Sequence, residues 1–121
     1  AMLEICADGA LQARANKAGE ELRRGLADAM KKAGVPGAVY GEVSIYHVSF
    51  EGKPGLAGFD RPRRGELYHL LRCALINEGV DCSLHHGWIS ATHGEREIVA
   101  TIAAYERAFT AMAADGAFRG R

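Results

Sequence analysis

The stretch from Ala38 to Phe50, AVYGEVSIYHVSF, constrains the fold more than any other, because β-branched and aromatic residues dominate it and its alternation changes phase midway. Val39, Val43 and Ile45 share one parity, whereas Tyr46, Val48 and Phe50 share the other. One flat strand would put one of those sets on the wrong face. The stretch therefore divides into two extended segments with a bend or bulge near Ser44 and Ile45, and Gly41 allows close backbone approach.

Helical patterns flank this β signal. Ala1 to Ala7 is apolar and reads as the tail of a helix whose beginning is missing, with Asp8 and Gly9 placed to stop it and to cap the next. Leu11, Ala15, Ala18, Leu22, Leu26, Ala29 and Ala33 then recur at helical spacing, opposite a charged face that offers Glu20–Arg24 and Asp28–Lys32 as i,i+4 pairs. Gly34 and Pro36 end that helix. A third helix runs from Glu66, with Leu67, Leu70, Leu71, Ala74 and Leu75 as its stripe, and Gly79 terminates it. The last helix carries Ile98, Ile102, Tyr105, Phe109 and Met112, with Glu95 and Glu97 in its first turn and Thr92 or Gly94 as its cap. Glu51 to Gly65 lacks periodicity and reads as a long loop, with Arg61, Arg63 and Arg64 close together. From Asp115 the pattern is lost, so one domain spans residues 1–114 and residues 115–121 form a frayed tail.

Between the last two helices lies GVDCSLHHGWISATHGERE, Gly79 to Glu97. It reads as a short strand, a turn holding His85 and His86, and a second short strand centred on Trp88 to Ala91. The whole order is helix, helix, strand, strand, helix, strand, strand, helix. Two apolar helical stripes and few strands specify an α+β fold, with helices packed on one face of a small, mainly antiparallel sheet. The other sheet face needs cover from elsewhere.

Fifteen basic and fifteen acidic residues balance along the chain, so its charge favours neither nucleic acid nor an anionic membrane as a partner. No apolar run approaches the ~20 residues that cross a bilayer. Cys6, Cys73 and Cys82 form no CxxC and leave an odd thiol, which fits a reducing, cytoplasmic setting.

Taken together, the EICADG start with its long helix, the SIYHVSF strand pair, the CALINEGVD helix exit and the GWISATHGEREI junction resemble one family region. It is the C-terminal small domain of the class III pyridoxal-phosphate-dependent aminotransferases, nearest to glutamate-1-semialdehyde 2,1-aminomutase. The resemblance runs from Met2 to about Met112. It implies a fold type I enzyme, a homodimer whose large domain holds the cofactor lysine, the aspartate at the pyridine nitrogen and most phosphate contacts. The implied partner of this chain is that large cofactor-binding domain, and the implied role is to close the active-site cleft without activity of its own. Pyridoxal phosphate would belong to the parent enzyme and not to this chain alone. His85 stands where the aminomutase branch places a glutamate that guards the active-site entrance, so aminomutase and aminotransferase activity both stay open. The contrasting reading is a self-sufficient α+β module that binds a small ligand or a protein on its uncovered sheet face.

The side chains that bear chemistry follow. An aldimine needs a lysine with a lowered pKa; Lys17, Lys31 and Lys32 fall on a charged helix face and Lys53 in a glycine-rich loop, so neither a catalytic nor a cofactor-binding residue is assigned. Cys82, His85, His86 and His93 have ligand chemistry, but their spacing matches no zinc motif and adjacent histidines on an extended segment point opposite ways, so no metal site is expected. His85, with His86, is either a substrate-entrance residue of the parent enzyme or a solvated turn histidine. His47 and His69 read as packed or rim residues, Trp88 as core or domain-interface packing, and Ser90 with His93 as no hydrolase pair.

Overall fold

The small and aliphatic stripe from Ala15 to Met30 sits on α2 (Ala10–Lys32), the helix against which the sheet and the last helix pack, in a computed structural model that describes residues 2–53, 65–83 and 85–119. A short helix α1 (Met2–Ile5) precedes it. The Asp8 carboxylate accepts the Ala10 amide at 2.9 Å, which satisfies one of the free donors of the first turn. At the other end Val35 N–H donates back to the Met30 carbonyl at 3.0 Å around Gly34, whose φ of 66° is open to glycine at little cost. Lys32 reaches across to Glu106 on the last helix, and along α2 Lys17 pairs with Glu21 at 3.9 Å.

The phase change in the β signal is a hairpin. β1 (Ala38–Tyr40) and β2 (Ile45–Ser49) pair antiparallel with Ala38 opposite Ser49 and Tyr40 opposite His47. The Ile45 amide closes the turn onto the Glu42 carbonyl at 2.8 Å. Gly41 permits the reversal, since a Cβ there would stand 2.2 Å from the Ile45 carbonyl oxygen. β3 (His86–Trp88) takes the opposite edge of β2, antiparallel, with His47 opposite His86 and Ile45 opposite Trp88. The sheet order is β1-β2-β3. Two expectations shift here. The strand centred on Trp88 to Ala91 lies earlier, at 86–88, and residues 80–82 form no strand, only an isolated bridge between Ser83 and His86. Both edges of β2 are already occupied by β1 and β3, so the segment before His86 has no free edge of that strand to join.

Helices α3 (Gly65–Asn77) and α4 (Glu95–Ala114) complete the layer. Leu22, Leu26, Leu67, Leu71, Leu75, Tyr105, Phe109 and Val48 are almost wholly removed from water, each worth roughly 1.5–3 kcal/mol of burial. The buried face of α3 runs through Tyr68 as well as Leu67, Leu71 and Leu75; Leu70, expected in the stripe, lies on the open flank at 46% exposure. The Glu97 carboxylate accepts the Gly94 amide at 3.0 Å and fixes the start of α4. The chain beyond α4, expected to fray, turns back through Gly116: Ala117 N–H donates to the Met112 carbonyl at 3.0 Å, and the Phe118 ring packs 5.4 Å from Phe50. An apolar residue just past a glycine turn pays for that ordering, and the helical pattern could not register it. The loop arginines Arg61, Arg63 and Arg64 lie outside the described residues. Among the described residues no helix is long and apolar enough to cross a membrane.

One contact sets the spacing between helix and sheet. Gly19 presents bare backbone to the β1–β2 turn, where an added Cβ would meet the Val43 carbonyl oxygen at 2.6 Å. One helical turn on, the Arg23 guanidinium donates to the carbonyls of Val43 at 2.6 Å and Ile45 at 2.8 Å. Val43 is, among the described residues, the non-glycine residue with positive φ, 47°, a conformation that a β-branched residue holds only when its surroundings enforce it. Gly19→Ala sets two effects against each other: about 1 kcal/mol gained in helix propensity and about 1–3 kcal/mol lost to overpacking. The clash is with backbone, which cannot rotate away, so the loss is expected to win. Urea unfolding should show a lower midpoint for Gly19→Ala at unchanged slope; a higher midpoint would mean that the helix does not approach this closely.

Candidate functional site

Strand parity divides the sheet into an inner face and an outer one. Tyr46 and Val48 point into the helical layer and are buried, so Ile45 and His47 point away from it. Register then lines up Tyr40, His47 and His86 across the three strands, with Trp88 two residues beyond His86 on the same face. Val48 N–H donates to the His85 carbonyl at 2.7 Å and Ile89 N–H to the Ser44 carbonyl at 2.8 Å. The pair His47–His86 therefore falls between hydrogen-bonded pairs, where opposing side chains approach most closely.

The rings form a continuous row. Tyr40 stacks on His47 with centroids 4.9 Å apart and planes 13° apart. His47 lies 5.6 Å from His86, and Trp88 meets His86 edge to face at 5.0 Å. His85, in the turn that Ser83 closes by accepting the amides of His85 and His86, brings its ring 4.9 Å from His86, 6.4 Å from His47 and 5.2 Å from Tyr68. Tyr68 in turn accepts the Phe50 amide at 3.3 Å and donates to Glu51, and burial together with that carboxylate pushes its hydroxyl up to about 12. Trp88 is 62% exposed, so it is not core.

Adjacent histidines were expected to diverge, which holds only for extended backbone. His85 lies in a turn, so its ring and that of His86 meet. The other two residues of the sequence-derived ligand set go elsewhere. Cys82 is buried, and burial raises its thiol pKa despite a hydrogen bond with Tyr105. His93 accepts the Ser90 amide on Nδ1 at 2.9 Å, a local turn before α4. His69 is exposed, with Nε2 3.7 Å from the Cys73 sulfur one turn along α3. The residue that sequence reasoning left out of the cluster is His47. Its parity opposite Tyr46 and Val48 was legible; its pairing with His86 depended on register.

No family model matches the chain. Solved structures do. An omega-transaminase from Sphaerobacter thermophilus is 27% identical over 79% of this chain, with a TM-score of 0.67. A transaminase with PLP bound is 25% identical over 88% of it, with a TM-score of 0.73. The FumI protein of Sphingopyxis sp. MTA144, in its PLP internal aldimine form, shares the fold at 22% identity over 89% of the chain, with a TM-score of 0.71. The chain spans only 23–24% of the length of these proteins. It thus has the fold of a small part of transaminase structures.

Beneath the outer row, Tyr46 and Tyr105 share a hydroxyl contact at 3.4 Å, and burial raises the pKa of both. With Tyr68, these groups keep their protons in the folded state above the ordinary value of 10.0. The unfolded chain gives those protons up from about pH 10. Stability is therefore full below pH 10 and falls as pH rises towards and beyond about 12. Melting temperature measured across that range should drop steeply, and less steeply in Tyr105→Phe; equal slopes would remove Tyr105 from the account.

Proposed function

We propose that this chain is the C-terminal small domain of a class III pyridoxal-phosphate-dependent aminotransferase, and that it closes the active-site cleft. The observation that carries this reading is the match to a transaminase over 88% of the chain within 24% of the other protein's length. The likeness in fold to named transaminases, with His85 where the aminomutase branch has glutamate, favours aminotransferase over aminomutase chemistry.

The chain's own lysines do not fit the cofactor. A Schiff-base lysine works from a desolvated position, whereas the side chains of Lys17 and Lys32 are 79% and 71% exposed and Lys31 and Lys53 are exposed as well. This supports a cofactor held by a large domain of the same enzyme, with no step of the reaction running through this chain's lysines. What the chain offers is a face. The described residues put their helices on the Tyr46 and Val48 side and leave Trp88 and the histidine row open, a surface that suits burial against the large domain. His85 lies in the turn at the edge of that face with its ring against His86, which supports reading the two as entrance residues of the parent enzyme.

Two measurements test this. Titration of the chain with pyridoxal phosphate followed by borohydride should leave only scattered, substoichiometric labelling of lysines; one stoichiometric site would contradict the reading. In the intact enzyme, His85→Ala should shift KM and kcat together, as access and closure do, with the cofactor's absorbance intact. Loss of cofactor binding in a folded variant would put His85 in the cofactor site instead.

A further inference from the structure

The histidine row holds more than stacking explains. His47, His85 and His86 each offer a ring nitrogen, and these atoms lie within 4.8 Å of one another. Nδ1 of His86 is buried and, among the described residues, has no hydrogen-bond partner. A buried nitrogen left unsatisfied is costly, and such a group in a folded protein calls for a reason. Imidazole packs as a ring and also ligates metals through its nitrogens, and a bound ion is one group that gives such a nitrogen a partner.

We infer that His47, His85 and His86 form a three-imidazole site for a divalent transition metal of the zinc type on the outer sheet face. Zinc takes imidazole nitrogen at about 2.0–2.1 Å, which places donors on a tetrahedral centre roughly 3.4 Å apart. Closing the present spacing to that value asks for rotation of side chains, because the strand pair and the turn already fix the three backbones. Three neutral nitrogens leave one position for water, the pattern of an open zinc site, and a soft thiolate is not required. The ligands come from two strands and the turn that leads into the second, so the site is formed by folding and binding would stabilise the folded chain. The inference depends only on side chains of this chain and is independent of the aminotransferase reading.

Trp88 is the only tryptophan of the chain and its ring lies 5.0 Å from His86, so its fluorescence reports on an ion bound at this site. The experiment is titration of the 121-residue chain with zinc chloride by calorimetry, and with cobalt chloride by Trp88 fluorescence. The expected result is one zinc per chain, quenching of Trp88 by cobalt, and reversal of that quenching by zinc. His47→Phe and His86→Phe keep a ring in the row while deleting a ligand, so a melting curve like the parent's separates loss of binding from loss of fold. Each should weaken zinc by more than about tenfold, whereas Cys73→Ser, which breaks the exposed His69–Cys73 pair, should not. Absence of stoichiometric binding overturns the inference. So does binding that survives both phenylalanine variants or is lost in Cys73→Ser.

Discussion

The fold depends on how closely α2 lies on the β1–β2 turn. Gly19 removes the side chain that would hold the two apart, and Arg23 then reaches the carbonyls of Val43 and Ile45. Those carbonyls lie at the β1–β2 turn, and the guanidinium gives both of them a charged donor. Once α2 is fixed there, Tyr46 and Val48 face Leu22 and Leu26 in the core, and the sheet has only one face left for anything else. The chemistry of the outer face is thus a consequence of a contact on the inner one.

Polar groups are distributed to match. Inside, Tyr46, Tyr105 and Cys82 satisfy one another, and burial holds all three in their neutral forms. Neutral groups that bond only among themselves cost little in a core and do no acid–base work there. Outside, the rings of Tyr40, His47, His86 and Trp88 stand in the half-exposed row where a partner or a ligand has access. The interior bonds to itself, while at the outer row Nδ1 of His86 is buried without a partner among the described residues.

Much of this was legible in the residues. The helical stripes of α2 and α4 follow from period, since Leu22, Leu26, Ile98, Tyr105 and Phe109 are all buried as their spacing required. The α+β class and the one-sided helical layer follow as well. The hairpin was half legible: the parity change between Ile45 and Tyr46 marked a break, but no Asn-Gly or Asp-Gly turn announced a reversal, and Val43 takes its left-handed conformation under tertiary contact. Period alone also misplaced Leu70, because the buried face of α3 is rotated towards Tyr68 by its packing on Phe50. The histidine cluster was hidden for a different reason. His47 and His86 are far apart in sequence, and only pairing register, which is set by neighbouring strands, makes them opposite.

The central claim is that the outer sheet face belongs against a larger cofactor-binding body. Hydroxyl-radical footprinting read residue by residue at Trp88 tests it most directly, comparing the isolated chain with the same chain inside the intact enzyme. At 62% exposure Trp88 should be oxidised rapidly in the isolated chain and strongly protected in the enzyme. Equal labelling in both, with the enzyme active, would contradict the account.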